Sequence, residues 1–235
     1  MTSHTRISQL GWQAIEESLW TQGYAVTPQV LTSKECAALV RLYAKTARFR
    51  KRVNMAQHRF GVGEYQYFAD PLPRLVTHLR TQAYPPLARI ANRWMAALKQ
   101  PETFPPTLAR FLSLCQEQGQ VKPTPLLLYY EQDGYNCLHQ DLYGPIAFPL
   151  QMTFCLSCPQ TDYTGGEFLL VEQRPRAQSR GIALTLQQGE GIIFTTRYRP
   201  VRGTRGYYRL TVRHGVSTVT SGQRYTLGVI FHNAR

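Results

Sequence analysis

The half of the chain that begins near Pro125 consists of short apolar runs separated by turn residues. LLLYY, GGEFLLVE and GEGIIFTT are three of these runs, and Gly165, Gly189 and Gly222 mark turns beside them. Apolar runs of this length are typical of β-strands, and strands at this spacing favour an antiparallel sandwich or barrel. The pattern therefore predicts a double-sheet jelly roll for this half of the chain.

The first 120 residues have a different pattern and are predicted to be mainly helical. Leu10, Ile15 and Leu19 have the spacing of an amphipathic helix. Thr32 and Glu35 have the spacing of a capping box, which predicts the start of a second helix. Further helices, each beginning at or after a proline, are predicted over 73–82, 85–99 and 106–118.

We expect the helices to cover one of the two sheets, because a sheet must bury its apolar face against another layer. The 235 residues then form one composite α+β domain. In it, residues 1–120 are a helical N-terminal region packed on the core, and residues 121–235 are the jelly roll.

The chain is strongly basic, and most of the excess charge comes from arginine. Lys and Arg number 27 against 14 Asp and Glu, which gives a formal net charge of +13. Arg binds phosphate in bidentate fashion, so this surplus favours a polyanionic partner such as nucleic acid, although an ordinary solvated surface has the same composition. The cations concentrate in two stretches without acidic residues, 41–60 and 197–213.

No segment of the sequence predicts contact with a membrane. No apolar run approaches the roughly 18 residues that cross a bilayer, and the N-terminal segment has no basic cluster followed by an apolar stretch. The Cys count of five is odd, which is typical of reduced thiols, and Cys155 and Cys158 form a lone C-x-x-C without a second pair. We therefore expect a cytoplasmic protein with no obligate protein partner.

The residues that indicate chemistry begin with His139-Gln140-Asp141. Alternate residues of an extended chain face the same side, so the imidazole and the carboxylate point into one cavity. His214, near the end of a later predicted strand, is the best-placed third ligand. Two His and one carboxylate leave three positions open on iron. A surface His beside a turn Asp is the alternative interpretation of His139 and Asp141.

A second group of residues lies ten positions after His214. Arg224 and Thr226 share one face of a predicted strand, where a guanidinium and a hydroxyl suit a carboxylate ligand. No Asp or Glu follows Glu190 in the sequence, which weakens the alternative of a structural ion pair with a nearby acid.

Taken in order, these motifs resemble the Fe(II)/2-oxoglutarate-dependent dioxygenases of the double-stranded β-helix superfamily. The resemblance covers about 125–235, and its elements are Tyr130, Gly134, His139-x-Asp141, TGGEF (164–168), GEGIIF (189–194), His214 and Arg224-x-Thr226. It implies that His139, Asp141 and His214 bind Fe(II). It also implies that Arg224, Thr226 and Tyr130 bind the cosubstrate 2-oxoglutarate, and that O₂ is the second cosubstrate.

The upstream segment HRFGVGEYQYF (58–68) and Ala91-Asn92-Arg93-Trp94 are similar to a prokaryotic oxygenase family of the AlkB-like branch. That family is predicted to act on nucleic acids. The resemblance implies oxidative dealkylation or hydroxylation of a base, as in DNA repair by a demethylase. The candidate substrate-binding residues are Arg197, Arg199, Arg202, Arg205, Tyr207, Arg59 and Tyr65.

Other functions remain open from the residues alone. A hydroxylase of a protein side chain, of the prolyl type, or of a small molecule would use the same iron chemistry. A non-enzymatic module that binds a metal or a polyanion would keep the fold, but it would not need the complete triad. A zinc hydrolase would use two His and one carboxylate, but it would leave Arg224 unexplained.

Overall fold

The computed structural model describes residues 3–235, with side chains from Thr5 onward. The helices are α1 (Ser3–Ser8), α2 (Trp12–Thr21), α3 (Ser33–Leu42), α4 (Arg74–Ala97) and α5 (Leu108–Glu117). The strands are β1 (Tyr24–Val26), β2 (Phe49–Asn54), β3 (Gly61–Val62), β4 (Glu64–Phe68), β5 (Leu126–Tyr130), β6 (Tyr135–His139), β7 (Leu150–Cys155), β8 (Tyr163–Gly165), β9 (Phe168–Gln173), β10 (Arg180–Leu184), β11 (Gly191–Thr195), β12 (Tyr198–Gly203), β13 (Gly206–Val216), β14 (Val219–Gly222) and β15 (Arg224–Val229).

Two antiparallel sheets face each other across the C-terminal half. Within residues 3–235, the larger sheet has the strand order β1-β11-β7-β15-β5-β4-β2 and the smaller one β10-β9-β13-β6-β3, with β12 also pairing β13. Phe194 of the larger sheet packs on Phe168 of the smaller sheet, with ring centroids 4.8 Å apart. The predicted jelly roll is confirmed.

The helices cover the outer face of the larger sheet. Side chains alternate along each strand, so Met152 and Phe154 of β7 face the helices, where they share one apolar cluster with Leu87 and Trp94 of α4. The predicted α+β arrangement, with a helical layer on one sheet, is confirmed. None of the helices in the described chain combines the length and apolar character that a membrane crossing requires.

The N-terminal 120 residues also contribute the strands β2 and β4, which the sequence analysis did not single out. β4 pairs with β5, and β2 pairs with β4, so both extend the larger sheet. The edge strand β2 reads FRKRVN. Charged residues of this kind are common on edge strands, and they hide the alternating pattern that identifies a strand from sequence.

The prolines at positions 85 and 86 do not separate two helices. The structure has a single helix of 24 residues, α4, with both prolines inside it, where the sequence predicted helices over 73–82 and 85–99. Proline removes a backbone hydrogen bond from a helix interior. In α4 that loss is offset by packing, because twelve of its residues are buried, Pro86 among them.

The predicted capping box at the start of α3 is confirmed. The Glu35 amide donates to the Thr32 hydroxyl at 3.3 Å, and the Glu35 carboxylate accepts from the Thr32 amide at 2.8 Å. α2 buries Ile15 and Leu19, as its spacing predicted, whereas Leu10 is buried in the turn before it. Ile15 and Leu19 belong to the same apolar cluster as Met152 and Phe154 of the larger sheet.

We expect Thr32→Ala to lower the free energy of unfolding by about 1 kcal/mol, because the N-cap hydrogen bond to α3 is lost. Urea denaturation measures the change. Ser33→Ala, at the neighbouring exposed position, is the control and should leave the stability within about 0.5 kcal/mol of the parent. Equal stability of the two variants would contradict a role for the capping box.

Candidate active site

Two histidines meet because their strands are neighbours in the smaller sheet. β13 and β6 are antiparallel, and their register sets His214 directly opposite His139. The ring centroids lie 4.2 Å apart. Asp141 follows two residues after His139, and its carboxylate lies 3.1 Å from His214 Nε2 and 3.6 Å from His139 Nε2. Three potential ligand atoms therefore lie within 4.8 Å of one another.

The protonation states suit a cation at this point. His139 Nδ1 lies 2.8 Å from the carbonyl oxygen of Cys137, so Nδ1 donates to that oxygen, and Nε2 is the ring nitrogen that faces the Asp141 carboxylate. Burial is the largest influence on His214, and it lowers the pKa of this imidazole and so favours its neutral form. Burial alone would raise the pKa of Asp141, but His214, His139 and a hydrogen bond from Tyr143 outweigh it, so the carboxyl is ionised.

Arg224 lies on the inner face of the larger sheet and is almost completely buried. Its guanidinium carbon lies 5.7 Å from the ring centroids of both Tyr130 and Tyr163. Among the described residues, Nε and Nη1 have no hydrogen-bond partner. Gly166 makes room for the side chain, since a Cβ there would approach Arg224 Cδ to 2.8 Å. A buried guanidinium with free N–H groups suits an anionic ligand.

The triad and Arg224 line the same cavity, which has a volume of about 330 Å³. Its walls come from both sheets. Asp141 is the only acidic residue among the described residues that line it, while Arg59 and Arg224 are cationic. The wall residues include Arg59, Tyr65, Tyr67, Leu126, Tyr130, Asn136, His139, Asp141, Tyr143, Gln151, Thr153, Phe168, His214, Arg224, Thr226, Gly228 and Ile230.

Several residues singled out in the sequence therefore meet in one cavity. Tyr130 and Thr226 are fully or almost fully buried on its wall, and Arg59 and Tyr65 also line it. The Tyr130 hydroxyl accepts a hydrogen bond from Asn136 Nδ2 at 3.3 Å. Burial raises the pKa of Tyr130 to about 12, so the phenol is protonated at neutral pH and keeps its own O–H to donate.

Arg199, expected to contact substrate, is instead a buried structural residue. Its guanidinium Nε and Nη2 lie 2.8 and 2.7 Å from a carboxylate oxygen of Glu172, and Nη1 donates to the carbonyl oxygen of Trp20 at 3.3 Å. Both partners are nearly inaccessible to solvent. The pair escaped sequence reasoning because residues 197–213 contain no acid of their own, whereas Glu172 lies on the separate strand β9.

The remaining arginines of the second basic stretch do not line the triad cavity. Arg202, Arg205 and Tyr207 lie at the hairpin between β12 and β13, and Tyr207 packs on Trp20 with ring centroids 5.5 Å apart. Tyr207 precedes His214 by seven residues on one strand, about 24 Å at 3.4 Å per residue. Arg197 lines a different cavity, of about 280 Å³. Binding of substrate by Arg197, Arg202, Arg205 and Tyr207 stays a prediction, and none of the four lines the triad cavity.

The structure adds residues that the sequence analysis did not single out. The Tyr143 hydroxyl donates to Asp141 Oδ1 at 2.6 Å, which fixes the carboxylate. Gln151 lies on the inner face of β7 and is buried. Arg50 lies at a bulge in β2 with its guanidinium carbon 4.6 Å from the centroid of the Tyr67 ring. Tyr143 was accessible to sequence reasoning, because it continues the alternation of His139 and Asp141.

A family model described as "Oxygenase, catalysing oxidative methylation of damaged DNA" matches residues 63–234. The chain belongs to this oxygenase family. An uncharacterised protein of Mycobacterium tuberculosis is 46% identical to the oxygenase over 218 residues, which cover 91% of this chain and 93% of that protein. The predicted family is therefore confirmed.

Solved structures show that the oxygenase shares its fold with more distant proteins. A prolyl-4-hydroxylase from Pseudomonas putida has a TM-score of 0.52 at 13% identity, over 95% of this chain and 99% of that one. A prolyl hydroxylase from Trichoplax adhaerens has a TM-score of 0.54 at 13% identity, over 97% and 91%. A 2OG-Fe(II) oxygenase family member from Burkholderia pseudomallei has a TM-score of 0.52 at 15% identity, over 95% and 93%.

The family, the fold and the converging His-Asp-His set agree with the predicted cofactors. The expectation of an Fe(II)- and 2-oxoglutarate-dependent oxygenase that uses O₂ is confirmed at the level of family and fold. The triad supplies the two nitrogens and one carboxylate oxygen that suit a facial iron site.

The buried pair of Arg199 and Glu172 generates a stability prediction. Arg199→Ala leaves the Glu172 carboxylate buried without its partner, so the free energy of unfolding should fall by about 3–5 kcal/mol. Urea denaturation measures this, and Arg202→Ala, on the exposed hairpin, is the control. If Arg199→Ala unfolds like the parent protein, the ion pair is not structural.

Proposed function

We propose that this oxygenase uses Fe(II), 2-oxoglutarate and O₂ to hydroxylate an N-alkyl group on a nucleic-acid base, and thereby removes it. One observation carries the proposal. Two imidazoles and a carboxylate converge on the wall of a cavity that also holds a buried guanidinium with unpaired N–H groups. A metal site and an anion site in one cavity match a reaction that needs both.

His139, Asp141 and His214 would hold the iron through two neutral imidazole nitrogens and one ionised carboxylate oxygen. Bound there with 2-oxoglutarate and O₂, the metal supplies an oxidant for a substrate C–H bond, and the cosubstrate leaves as succinate and CO₂. Tyr143 keeps Asp141 in place through its 2.6 Å hydrogen bond. The rings of Phe194 and Phe168 lie 4.8 and 6.0 Å from the His214 ring and exclude water from that side.

Arg224 would bind the distal carboxylate of 2-oxoglutarate. Its Nε and Nη1 groups are N–H donors without a partner on a planar, permanently charged guanidinium, which suits an anionic ligand. Thr226 follows on the same face of β15, and the Tyr130 ring lies beside the guanidinium. The Tyr130 phenol has an O–H left to donate, because Asn136 already occupies one acceptor position. Donor groups from Arg224, Thr226 and Tyr130 would then surround one carboxylate of the cosubstrate.

A nucleic-acid substrate is favoured by the cations beside the cavity and by the family description. Arg59 lines the cavity, and Arg50 lies over Tyr67, which is also a wall residue. Lys51 pairs with Tyr67 in register and is exposed. Cations at an opening suit a phosphate backbone. Hydroxylation of an N-methyl carbon gives a product that loses formaldehyde, so oxygenation of a methylated base removes the methyl group.

A prolyl-type protein hydroxylase is the second candidate. The solved structures with a similar fold include prolyl hydroxylases. At 13% identity this likeness supports the fold. The substrate has to be determined by experiment.

The test is succinate formation from 2-oxoglutarate by the Fe(II)-loaded protein with a panel of probes. These are oligonucleotides that each carry one N-methylated base, their unmethylated counterparts, and proline-containing peptides. We expect turnover and formaldehyde release only with methylated oligonucleotides, and none from His214→Ala. Activity on a peptide with none on any oligonucleotide would overturn the nucleic-acid proposal. Full activity of His214→Ala would overturn the metal assignment.

Salt dependence separates phosphate contacts from other binding in the same experiment. For single strands, the logarithm of the binding constant falls linearly with the logarithm of the salt concentration. The expected slope is about −0.7 for each phosphate that the protein contacts. Replacing Arg59 and Lys51 with Ala should reduce this slope by about one unit or more. The matched control replaces Arg202 and Arg205, which lie at the distant hairpin, and should leave the slope unchanged.

We expect Arg224→Ala to raise the 2-oxoglutarate concentration needed for half-maximal turnover by about 100-fold, because charge-assisted bonds contribute about 1.5–3 kcal/mol each. Arg224→Lys should recover part of the loss, since it keeps the charge without the planar fork. Both are measured as succinate at saturating substrate. An unchanged 2-oxoglutarate requirement in the Ala variant would mean that the dianion binds elsewhere.

A further inference from the structure

Gln151 is the one buried glutamine, among those the structure describes, whose side-chain nitrogen makes no hydrogen bond. Its Nε2 is inaccessible and unpartnered, although the side chain lines the cavity. By contrast, Gln66 Nε2 donates to the Tyr43 carbonyl oxygen at 2.9 Å. Gln120 Nε2 donates to the carbonyl oxygens of Ile146 and Asn233 at 2.9 and 2.6 Å. Buried amides are rarely left unpaired, so the Gln151 carboxamide is suited to a ligand.

Gln151 lies too far along the cavity for the cosubstrate to reach it. β15 pairs Gly228 with Thr153 and Val229 with Met152, so the next residue, Ile230, lies beside Gln151. Ile230 is six residues from Arg224, about 20 Å at 3.4 Å per residue. A five-carbon diacid anchored on Arg224 is much shorter than this. The Gln151 end of the cavity is therefore free for a second molecule.

Aromatic and aliphatic side chains form the wall at the Gln151 end of the cavity. Tyr67 and Ile230 pack in one apolar cluster with Leu126, and Tyr143 packs against it. The Tyr67 and Tyr143 rings are perpendicular, with centroids 6.1 Å apart. The Tyr143 hydroxyl is already committed to Asp141. The part of the wall near Gln151 thus combines apolar ring surface with one uncommitted carboxamide.

We propose that the Gln151 carboxamide reads the hydrogen-bonding edge of the substrate base; this rests on the proposed function. A carboxamide offers an acceptor oxygen and a donor nitrogen side by side, and Gln pairs with the matching donor and acceptor of a base edge. The neighbouring aromatic wall suits the base plane. Because the carboxamide is neutral, it selects by hydrogen-bond pattern, whereas Arg59 and Lys51 attract any phosphate backbone. Gln151 is a specificity residue with no part in holding iron or 2-oxoglutarate.

The experiment compares the Gln151→Leu variant with the parent protein on oligonucleotides that each carry one N-methylated adenine, cytosine, guanine or thymine. For the oligonucleotide that the parent protein turns over most efficiently, we expect the variant's kcat/KM to be about 10- to 100-fold lower. The differences in kcat/KM among the four bases should also become smaller. Fluorescence anisotropy should show a matching loss of affinity for the methylated oligonucleotide. The 2-oxoglutarate requirement and substrate-free succinate formation should stay within twofold of the parent.

The free energy of unfolding distinguishes a role of Gln151 in substrate binding from a structural role. Removing an unpaired buried amide in favour of an apolar group of similar size should leave the ligand-free protein as stable as before, or more stable. Gln66→Leu is the matched control, because it breaks the existing bond to Tyr43 and should destabilise the protein. Met152→Leu, the neighbour that faces the helices, should leave base preference unchanged.

The outcomes distinguish the two proposals. If the parent protein turns over oligonucleotides and Gln151→Leu keeps both their kcat/KM and their ranking, the base-reading role is wrong. If Gln151→Leu needs more 2-oxoglutarate than the parent protein, the carboxamide binds the cosubstrate, and this result would also contradict the base-reading role. If the parent protein turns over only peptides, the proposed function fails, and base reading fails with it.

Discussion

The pairing register between β13 and β6 determines whether the three residues of the His-Asp-His triad can meet. His214 and His139 are cross-strand neighbours, and Asp141 reaches them because it follows at the next inward position. A slip of one residue would turn His214 outward and Arg213 inward, since side chains alternate between faces. β13 is held against this slip from its other side, where residues 211–216 pair continuously with β9. The sheet therefore fixes the ligand geometry before any metal arrives.

The buried guanidinium of Arg224 depends on the same sheet architecture. Gly166, with φ of +63°, gives it space, and Tyr130 and Tyr163 flank it. A buried cation without a carboxylate partner is costly in the ligand-free protein. The fold tolerates that cost because Arg224 lies on a strand paired on both sides, by β5 and β7, and cannot easily turn outward. Such rigidity keeps the guanidinium inside the cavity.

Local sequence patterns predicted what is encoded locally. Alternation and turn residues indicated the jelly roll, His-x-Asp indicated the cavity-facing pair, and Thr32 with Glu35 indicated a helix start. Long-range pairing was invisible. The partner of Arg199 is Glu172, 27 residues earlier, and composition cannot distinguish a buried arginine from an exposed one. Gln151 escaped notice because its inward orientation and missing partner depend on β11 and β15, which flank β7.

The arginines of this chain act in different ways because solvent exposure differs among them. Arg224 is 2% exposed, so its attraction for an anion operates where water and salt do not screen it. Arg59 is exposed, so its attraction for a phosphate is strongly screened and falls as salt is added. On the proposed assignment, salt weakens capture of the polyanion while retention of the small dianion is largely preserved. On that same assignment, burial would let one type of side chain bind two anionic ligands in one cavity without their competing for the same charge.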